Sequence, residues 1–163
     1  MRAIFAICLL LAAASSAAQA ATVKRVEITE FGIYTSRTDK TLDAPGAATG
    51  VTKLVSDIEL VKSTATVPAR VGVNFGFRYR IVGEGKTVTV KKITHIPEPG
   101  IRNPSTGNTM VTSVVNIERT IGDVHFTSYS LDQDFEVVPG TWTMELWIDD
   151  RKLATQSFEL VKP

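Results

Sequence analysis

Cysteine is almost absent from this sequence. The only one, Cys8, lies within an apolar run close to the start of the chain. Residues 1–20 combine a basic start at Arg2, that apolar run and an Ala18-Gln19-Ala20 ending, which is the pattern of a secretory signal peptide. We therefore expect cleavage after Ala20. A lipid anchor would require a cysteine at the end of the apolar run, where this chain has none.

Removal of the leader excludes several kinds of chemistry. The mature chain, residues 21–163, would have no cysteine, and therefore no disulfide, thiolate nucleophile or cysteine-bound metal. We expect it to be one domain that is stabilised by its core alone. The apolar run of the leader, residues 3–14, is also shorter than the roughly 20 residues of a membrane helix. The predicted location is periplasmic or secreted, without a membrane span.

An excess of charge of either sign is missing as well. The 18 Lys and Arg residues stand against 17 Asp and Glu, and Arg2 leaves with the predicted signal peptide. The mature chain is therefore neutral, and no global field favours nucleic acid or an anionic membrane. We predict no nucleic-acid partner, and any electrostatic partner would need a local patch.

Residues typical of catalytic and metal sites are scarce. The two histidines, His95 and His125, fall on different predicted strands, and there is no G-x-S-x-G motif. We predict no metal, no cofactor and no catalytic residue. Asp132, Asp134 and Glu136 alternate as calcium ligands can, but the glycine and final glutamate of an EF-hand do not follow. We interpret these acids as a solvated turn.

Alternating strands are what the sequence does contain. Residues 139–161 form a closing hairpin in which Trp142, Met144, Leu146 and Ile148 alternate with polar residues, followed by a second strand that directs Phe158 and Leu160 inward. No sustained helical stripe follows the leader. The pattern predicts an all-β, immunoglobulin-like antiparallel β-sandwich of seven to nine strands, with a small closed β-barrel as the alternative.

Other segments give more local expectations. A change of parity predicts a β-bulge near Thr29-Glu30. We expect strands at residues 53–62, with Leu54 inward, and 70–82, with Val71 inward. Residues 83–86 predict a tight hairpin turn. Residues 37–50 and 97–109 are interpreted as long loops.

The closing hairpin also carries a resemblance. Residues 27–34 (EITEFGIY), together with Gly140, Trp142 and Phe158, resemble a family of exported bacterial domains of unknown function. The likeness rests on core and turn residues. It implies a sandwich fold and supplies no catalytic residue.

Two surface features are candidate partner-binding sites. Trp147 shares the outer-face parity of Glu145, and an aromatic ring there suggests either a partner anchor or a residue covered by a loop. A tight turn at 83–86 would place Arg78 beside Lys91 on the outer face. Like charges opposite each other indicate either a solvated face or an anionic partner.

These observations favour an exported, non-enzymatic binding or assembly module. Its partner would be a protein or a cell-envelope glycan. The alternative is a small hydrolase that acts on envelope polymers, since paired carboxylates can be brought together by the fold alone. A cleft with convergent polar groups would favour the enzyme.

Overall fold

The computed structural model describes residues 21–162, and the predicted signal peptide lies outside the described residues. The described chain is built from strands, with one short 3-10 turn at Asp134–Glu136. The strands are β1 (Thr22–Asp43), β2 (Val51–Lys62), β3 (Thr66–Pro68), β4 (Asn74–Glu84), β5 (Thr87–His95), β6 (Ile101–Arg102), β7 (Thr109–Met110), β8 (Thr112–Thr120), β9 (Val124–Ser130), β10 (Gly140–Ile148) and β11 (Arg151–Val161).

Two sheets contain nine of these strands. Sheet A has the order β2-β1-β4-β9, and sheet B has the order β3-β11-β10-β5-β8. The pairings are antiparallel except that of β3 with β11. Strands β6 and β7 form a small separate ribbon. The predicted all-β sandwich is confirmed, and the alternative of a closed barrel is wrong because the described strands divide into two sheets.

The core lies between the inward faces of the two sheets. Alternate residues of β4 and β10 supply most of it, as strand periodicity requires. These inward side chains are Phe75, Phe77, Tyr79 and Ile81 on β4 and Trp142, Met144, Leu146 and Ile148 on β10. None of the eight is more than 1% exposed. Phe158 and Leu160 of β11 are equally buried. The predicted phase of the closing hairpin is therefore confirmed.

The first strand bends where its register shifts. The pairing of β1 with β4 slips between Ile28 and Glu30, which confirms the predicted bulge. Strand β1 then continues to Asp43, so the prediction of a loop over residues 37–50 is wrong for residues 37–43, the first half of that segment. Two further register shifts, at Thr35/Arg37 and Thr38/Lys40, disturb the alternation. These irregularities made a strand resemble a loop in the sequence.

The distal halves of β1 and β2 form a long hairpin, residues 35–58, which we call the arm. Its tip reaches the edge of sheet B, where the Gly46 carbonyl oxygen accepts hydrogen bonds from the Val114 amide (2.8 Å) and the Ser113 hydroxyl (3.1 Å). Farther back, Lys53 Nζ lies 2.6 Å from an Asp132 carboxylate oxygen. The arm therefore spans from sheet A to the edge strand β8 of sheet B.

Two inward assignments near the arm and β4 are wrong. Leu54 is 51% exposed, because Asp57 adopts a positive φ of 50° and changes the phase of β2 before Ile58. Val71 is also exposed, and β4 begins only at Asn74. Gly72, with a φ of 86°, turns the chain just before it.

The connection after β4 differs from the predicted hairpin. Strand β4 pairs with β1 and β9, whereas β5 pairs with β10 and β8. Residues 83–84 still pair with β1, and the chain crosses from one sheet to the other at residues 85–86. Adjacent strands in a sequence commonly pair, but the same turn residues also suit a crossover between stacked sheets. The loop predicted at 97–109 contains the β6–β7 ribbon, whose Ile101 enters the core.

Candidate functional site

Trp147 lies on the outer face of sheet B, where β10 is flanked by β5 and β11. Its register partners are Lys91 on β5 and Lys152 on β11. Each ammonium lies 5.8 Å from the indole centroid, within the range of a cation–π interaction. The indole N–H donates to Glu145 Oε2 at 2.7 Å. The half-buried ring is therefore held in one orientation, with its polar edge satisfied.

Glu145 organises these neighbours from an almost buried position. Its carboxylate accepts a hydrogen bond from Lys152 Nζ at 3.0 Å and lies 3.5 Å from His95 Nε2. Burial acts to raise the pKa of Glu145, but the hydrogen bonds from Lys152, Trp147 and His95 outweigh it and lower the pKa. Glu145 is therefore an anion at neutral pH. We call Lys91, His95, Glu145, Trp147 and Lys152 the Trp147 cluster.

Three of the four predicted partner-binding residues meet in this cluster, and Arg78 does not. Its guanidinium contacts Glu30 Oε1 at 3.0 Å and donates to the Ile58 carbonyl at 2.7 Å, on sheet A. The predicted juxtaposition of Arg78 with Lys91 is wrong, because β4 and β5 belong to different sheets. Arg78 links β4 to β1 and β2. A partner-binding role for each of the four remains a prediction.

A cavity of about 380 Å³ lies at the other side of the sandwich, beneath the arm. Strands β8 and β9 are the edges of the two sheets there, and no ladder joins them among the described strands. We call this gap the seam. The arm, β8 and β9 form the cavity walls, and the inward side chain of Lys92 on β5 joins them.

The cavity is mixed in character. Its apolar walls include Ile58 and Val55 from the arm and Val115 and Ile117 from β8. Its polar wall carries Lys92, Arg119 and His125. This volume and mixture are typical of small-molecule sites.

His125, in that wall, contacts the end of β8. His125 Nε2 lies 2.6 Å from the Thr120 carbonyl oxygen. A carbonyl can only accept, so Nε2 carries the donated proton.

Lys92 is a charged residue on the inward face of β5, where apolar residues are usual. It lies opposite Leu146 and Val115, and its ammonium donates to the Ser128 carbonyl at 3.0 Å, on the free edge of β9. Burial and then the nearby Arg119 charge lower the pKa of Lys92 to about 8. Arg119 itself contacts the Tyr79 hydroxyl at 3.4 Å.

The cavity carboxylates are already bound by the protein. Glu136, predicted to lie in a solvated turn, is instead 1% exposed. It accepts from the Tyr129 hydroxyl at 2.8 Å and from the amides of Asp132 and Gln133. Burial raises the pKa of Glu136 more than these hydrogen bonds lower it. The interpretation of a solvated acidic turn is wrong for this residue, because its carboxylate caps the 3-10 turn from inside.

Lys92, Arg119 and the inward-facing His125 were not among the site residues predicted from the sequence. Parity could have indicated Lys92, which is two residues after the inward Val90. Arg119 similarly shares its parity with Val115 and Ile117 on β8. Charge discouraged an inward assignment, since such residues are almost never fully buried without a partner.

The two stacked antiparallel sheets, with a cavity at one seam, define an immunoglobulin-like β-sandwich. Residues 22–160 match the domain of unknown function DUF3859. The chain belongs to this family, which confirms the resemblance seen in the closing hairpin.

A solved structure supports the same fold. The immunoglobulin-like protein from Pseudomonas aeruginosa is 20% identical, with a TM-score of 0.61 over 90% of this chain and 100% of that one. The alkylpurine DNA glycosylase AlkC of Pseudomonas fluorescens, bound to DNA with an abasic site analog, is 16% identical over 59% of this chain and 27% of that one. Its TM-score of 0.35 is too low to indicate a shared fold. None of the curated proteins matches this chain. Within residues 21–162, no helix has the length and apolar character needed to cross a membrane.

Proposed function

We propose that this protein is an exported, non-enzymatic binding or assembly module, and that the Trp147 cluster is its partner surface. The observation that carries the proposal is the fixed indole of Trp147, whose N–H is bound by Glu145 while part of the ring stays accessible. The ring is already ordered in the free protein. Binding would therefore lose little side-chain entropy, which is the advantage of a preorganised surface.

The surroundings of the ring favour recognition over catalysis. Lys91 and Lys152 are engaged with the indole and with acids: Lys152 with Glu145, and Lys91 with Asp150 at 3.4 Å. Rigid aromatic residues flanked by charged side chains are the common anchors of protein interfaces. A protein is therefore one candidate partner. An envelope glycan is the other, because a flat aromatic ring on a sheet face can also stack on a sugar ring.

Export is the second part of the proposal. The leader at residues 1–20 supports it, with Ala18-Gln19-Ala20 at the expected cleavage site. Sequencing the N-terminus of the purified protein should give Ala21 as the first residue, with the mature chain 21–163 acting as one domain. Recovery of a soluble form that keeps Met1 would contradict export.

The Trp147→Ala variant tests the binding surface. The mature domain is used in a pull-down from envelope extract and, separately, in co-sedimentation with insoluble envelope glycan. We expect the variant to lose the partner that the unchanged domain retains. Its free energy of unfolding should fall by about 2–3 kcal/mol, since one hydrogen bond to a carboxylate and two cation–π contacts are lost.

Thr143→Ala is the matched control, because Thr143 lies on the same outer face of β10 but outside the cluster. It should keep both partner and stability. Retention of the partner by Trp147→Ala would show that the surface lies elsewhere. The pull-down and the sedimentation together decide between a protein and a glycan.

A further inference from the structure

The seam cavity contains more positive charge than its own acids neutralise. Four Lys and Arg side chains line it: Lys53, Arg78, Lys92 and Arg119. Lys53 pairs with Asp132, and Arg78 pairs with Glu30. Within residues 21–162, neither Lys92 nor Arg119 has a salt-bridge partner, and the Glu136 carboxylate is already bound by Tyr129 and two backbone amides.

Two cations without a salt-bridge partner lower the stability of the folded protein, and a purely structural role does not explain them. Cations that are partly withdrawn from water, as Lys92 and Arg119 are, are normally paired, because an isolated charge loses part of its hydration. Here Lys92 has one backbone carbonyl as its acceptor, and Arg119 has one tyrosine hydroxyl. The Arg119 charge also acts on Lys92, so the two cations destabilise each other. An anion that contacted both would relieve that repulsion.

The remaining walls describe the body of such a ligand. Val115 and Ile117 of β8, together with Ile58 and Val55 of the arm, line the cavity with apolar side chains. These side chains suit an apolar group, while Ser113, Thr127 and the His125 ring offer further polar contacts. A volume of about 380 Å³ accommodates a small molecule and excludes a folded partner.

We propose that the seam cavity is a binding site for a small organic anion, whose carboxylate or phosphate group is held between Lys92 and Arg119 and whose apolar part lies between the arm and β8. This site is separate from the Trp147 cluster, which lies on the outer face of sheet B. The arm forms the roof, and its tip is held on β8 by the Gly46 carbonyl. A ligand in this site would contact both sheets and the arm.

The experiment is a ¹⁵N NMR titration of the mature domain at pH 7 and constant ionic strength, with sodium hexanoate as the probe. Hexanamide, inorganic phosphate and sodium chloride are titrated in parallel. Hexanoate should shift the amide signals of Lys92, Arg119 and Ser128. Hexanamide should bind far more weakly, because it has the same body without the charge. Phosphate should bind more weakly than hexanoate, because it has the charge without the apolar body. A phosphate monoester such as butyl phosphate is titrated as well. If it binds more tightly than hexanoate, phosphate is the preferred head group.

Charge-removing variants localise the site. Lys92→Met and Arg119→Met should each weaken hexanoate binding by about tenfold or more, as expected for the loss of one charge-assisted hydrogen bond. The exposed Lys86 and Arg80 are matched controls, so Lys86→Met and Arg80→Met should bind as the unchanged domain does. Two independent variants keep the test valid if either one fails to fold.

Several results would overturn the proposal. Equal binding of hexanoate and hexanamide would show that the charge is not recognised. Phosphate binding without hexanoate binding would refute the apolar part of the site. Unchanged affinity in Lys92→Met or Arg119→Met would place the anion elsewhere, and no shifts with any of these probes would leave the cavity without this role.

Discussion

The inward-facing positions on the two sides of this sandwich carry opposite kinds of side chain. Beneath the closing hairpin, Trp142 packs edge-on against Phe75, with centroids 5.7 Å apart, and Phe75 packs against Phe158 at 5.2 Å. At the seam, the inward positions of β5 and β8 carry Lys92 and Arg119 around a cavity. One side is filled by aromatic rings, whereas the other is left open and charged.

The difference separates what stabilises the fold from what is free to bind. A chain that has no cysteine in its described part depends on apolar burial for its stability. The aromatic side supplies this burial. The seam contributes less, because its edge strands do not pair and its cations are incompletely compensated. Binding sites commonly occupy such regions, where some stability has been exchanged for function.

The largest effect is expected on the aromatic side. Trp142→Ala removes a fully buried ring that also packs against Tyr129 and donates from its indole N–H to the Val138 carbonyl at 2.8 Å. We expect the free energy of unfolding to fall by about 3–5 kcal/mol. Urea denaturation measures it.

Thr143→Ala provides the contrast on the outer face. Thr143 exchanges a single exposed hydrogen bond with Ser157, so its loss should cost less than about 1 kcal/mol. Equal losses in Trp142→Ala and Thr143→Ala would mean that the aromatic side does not carry the stability assigned to it.

The aromatic side was also the part that the sequence predicted best. Strict alternation at Trp142, Met144, Leu146 and Ile148 has one physical interpretation, because period two with one apolar face defines a half-buried strand. The bulge near Glu30 was visible for the same reason, since a parity change in an apolar pattern has few other causes.

The seam was poorly predicted because its formation depends on non-local choices. Whether residues 83–86 form a hairpin or a crossover decides if Arg78 meets Lys91, and the turn residues are compatible with both. The arm is interrupted by register shifts that remove its period. The cavity itself arises from the arm meeting β8, a contact between Gly46 and Val114 that no local pattern encodes.

The charge of Lys92 at the seam should lower the free energy of unfolding. The pKa of Lys92 is lowered from 10.5 to about 8, so the unfolded chain binds this proton more tightly than the folded one. The contribution of Lys92 to stability should therefore rise as pH increases from about 8 to 10.5. The raised pKa values of Tyr34, Tyr79 and Tyr129 act in the opposite direction near pH 10, in the unchanged protein and in Lys92 variants alike. The gain is at most about 3 kcal/mol, given 1.36 kcal/mol for each pKa unit.

Lys92→Met isolates that contribution by urea denaturation across the same pH range. Met cannot titrate, and Arg119, His125 and Glu136, which line the same cavity, are common to both proteins. We expect Lys92→Met to be the more stable protein at pH 7 and the gap to close towards pH 10.5. Lys86→Met should show no such pH-dependent gap. A Lys92→Met variant that is less stable at pH 7 would show that the seam cation stabilises the fold.

The effect expected at the tip of the arm is smaller than those at Trp142 and Lys92. A Cβ added to Gly46 would clash with the Val114 carbonyl oxygen, so Gly46→Ala should displace the tip from β8. Two hydrogen bonds to the Gly46 carbonyl would be lost, at about 1 kcal/mol each, and the rest of both sheets would remain folded.

The decisive measurement is amide hydrogen exchange at Val114, whose N–H donates to Gly46. That amide should exchange much faster in Gly46→Ala, while the amides of β10 keep their protection. Gly107→Ala is the control, because a Cβ added there meets no atom within 4 Å, although the φ of 71° disfavours a side chain. Gly107→Ala should leave Val114 protected. Equal protection of Val114 in both variants would show that the arm is not held on β8 through Gly46, and the seam cavity would then lack its roof even in the unchanged protein.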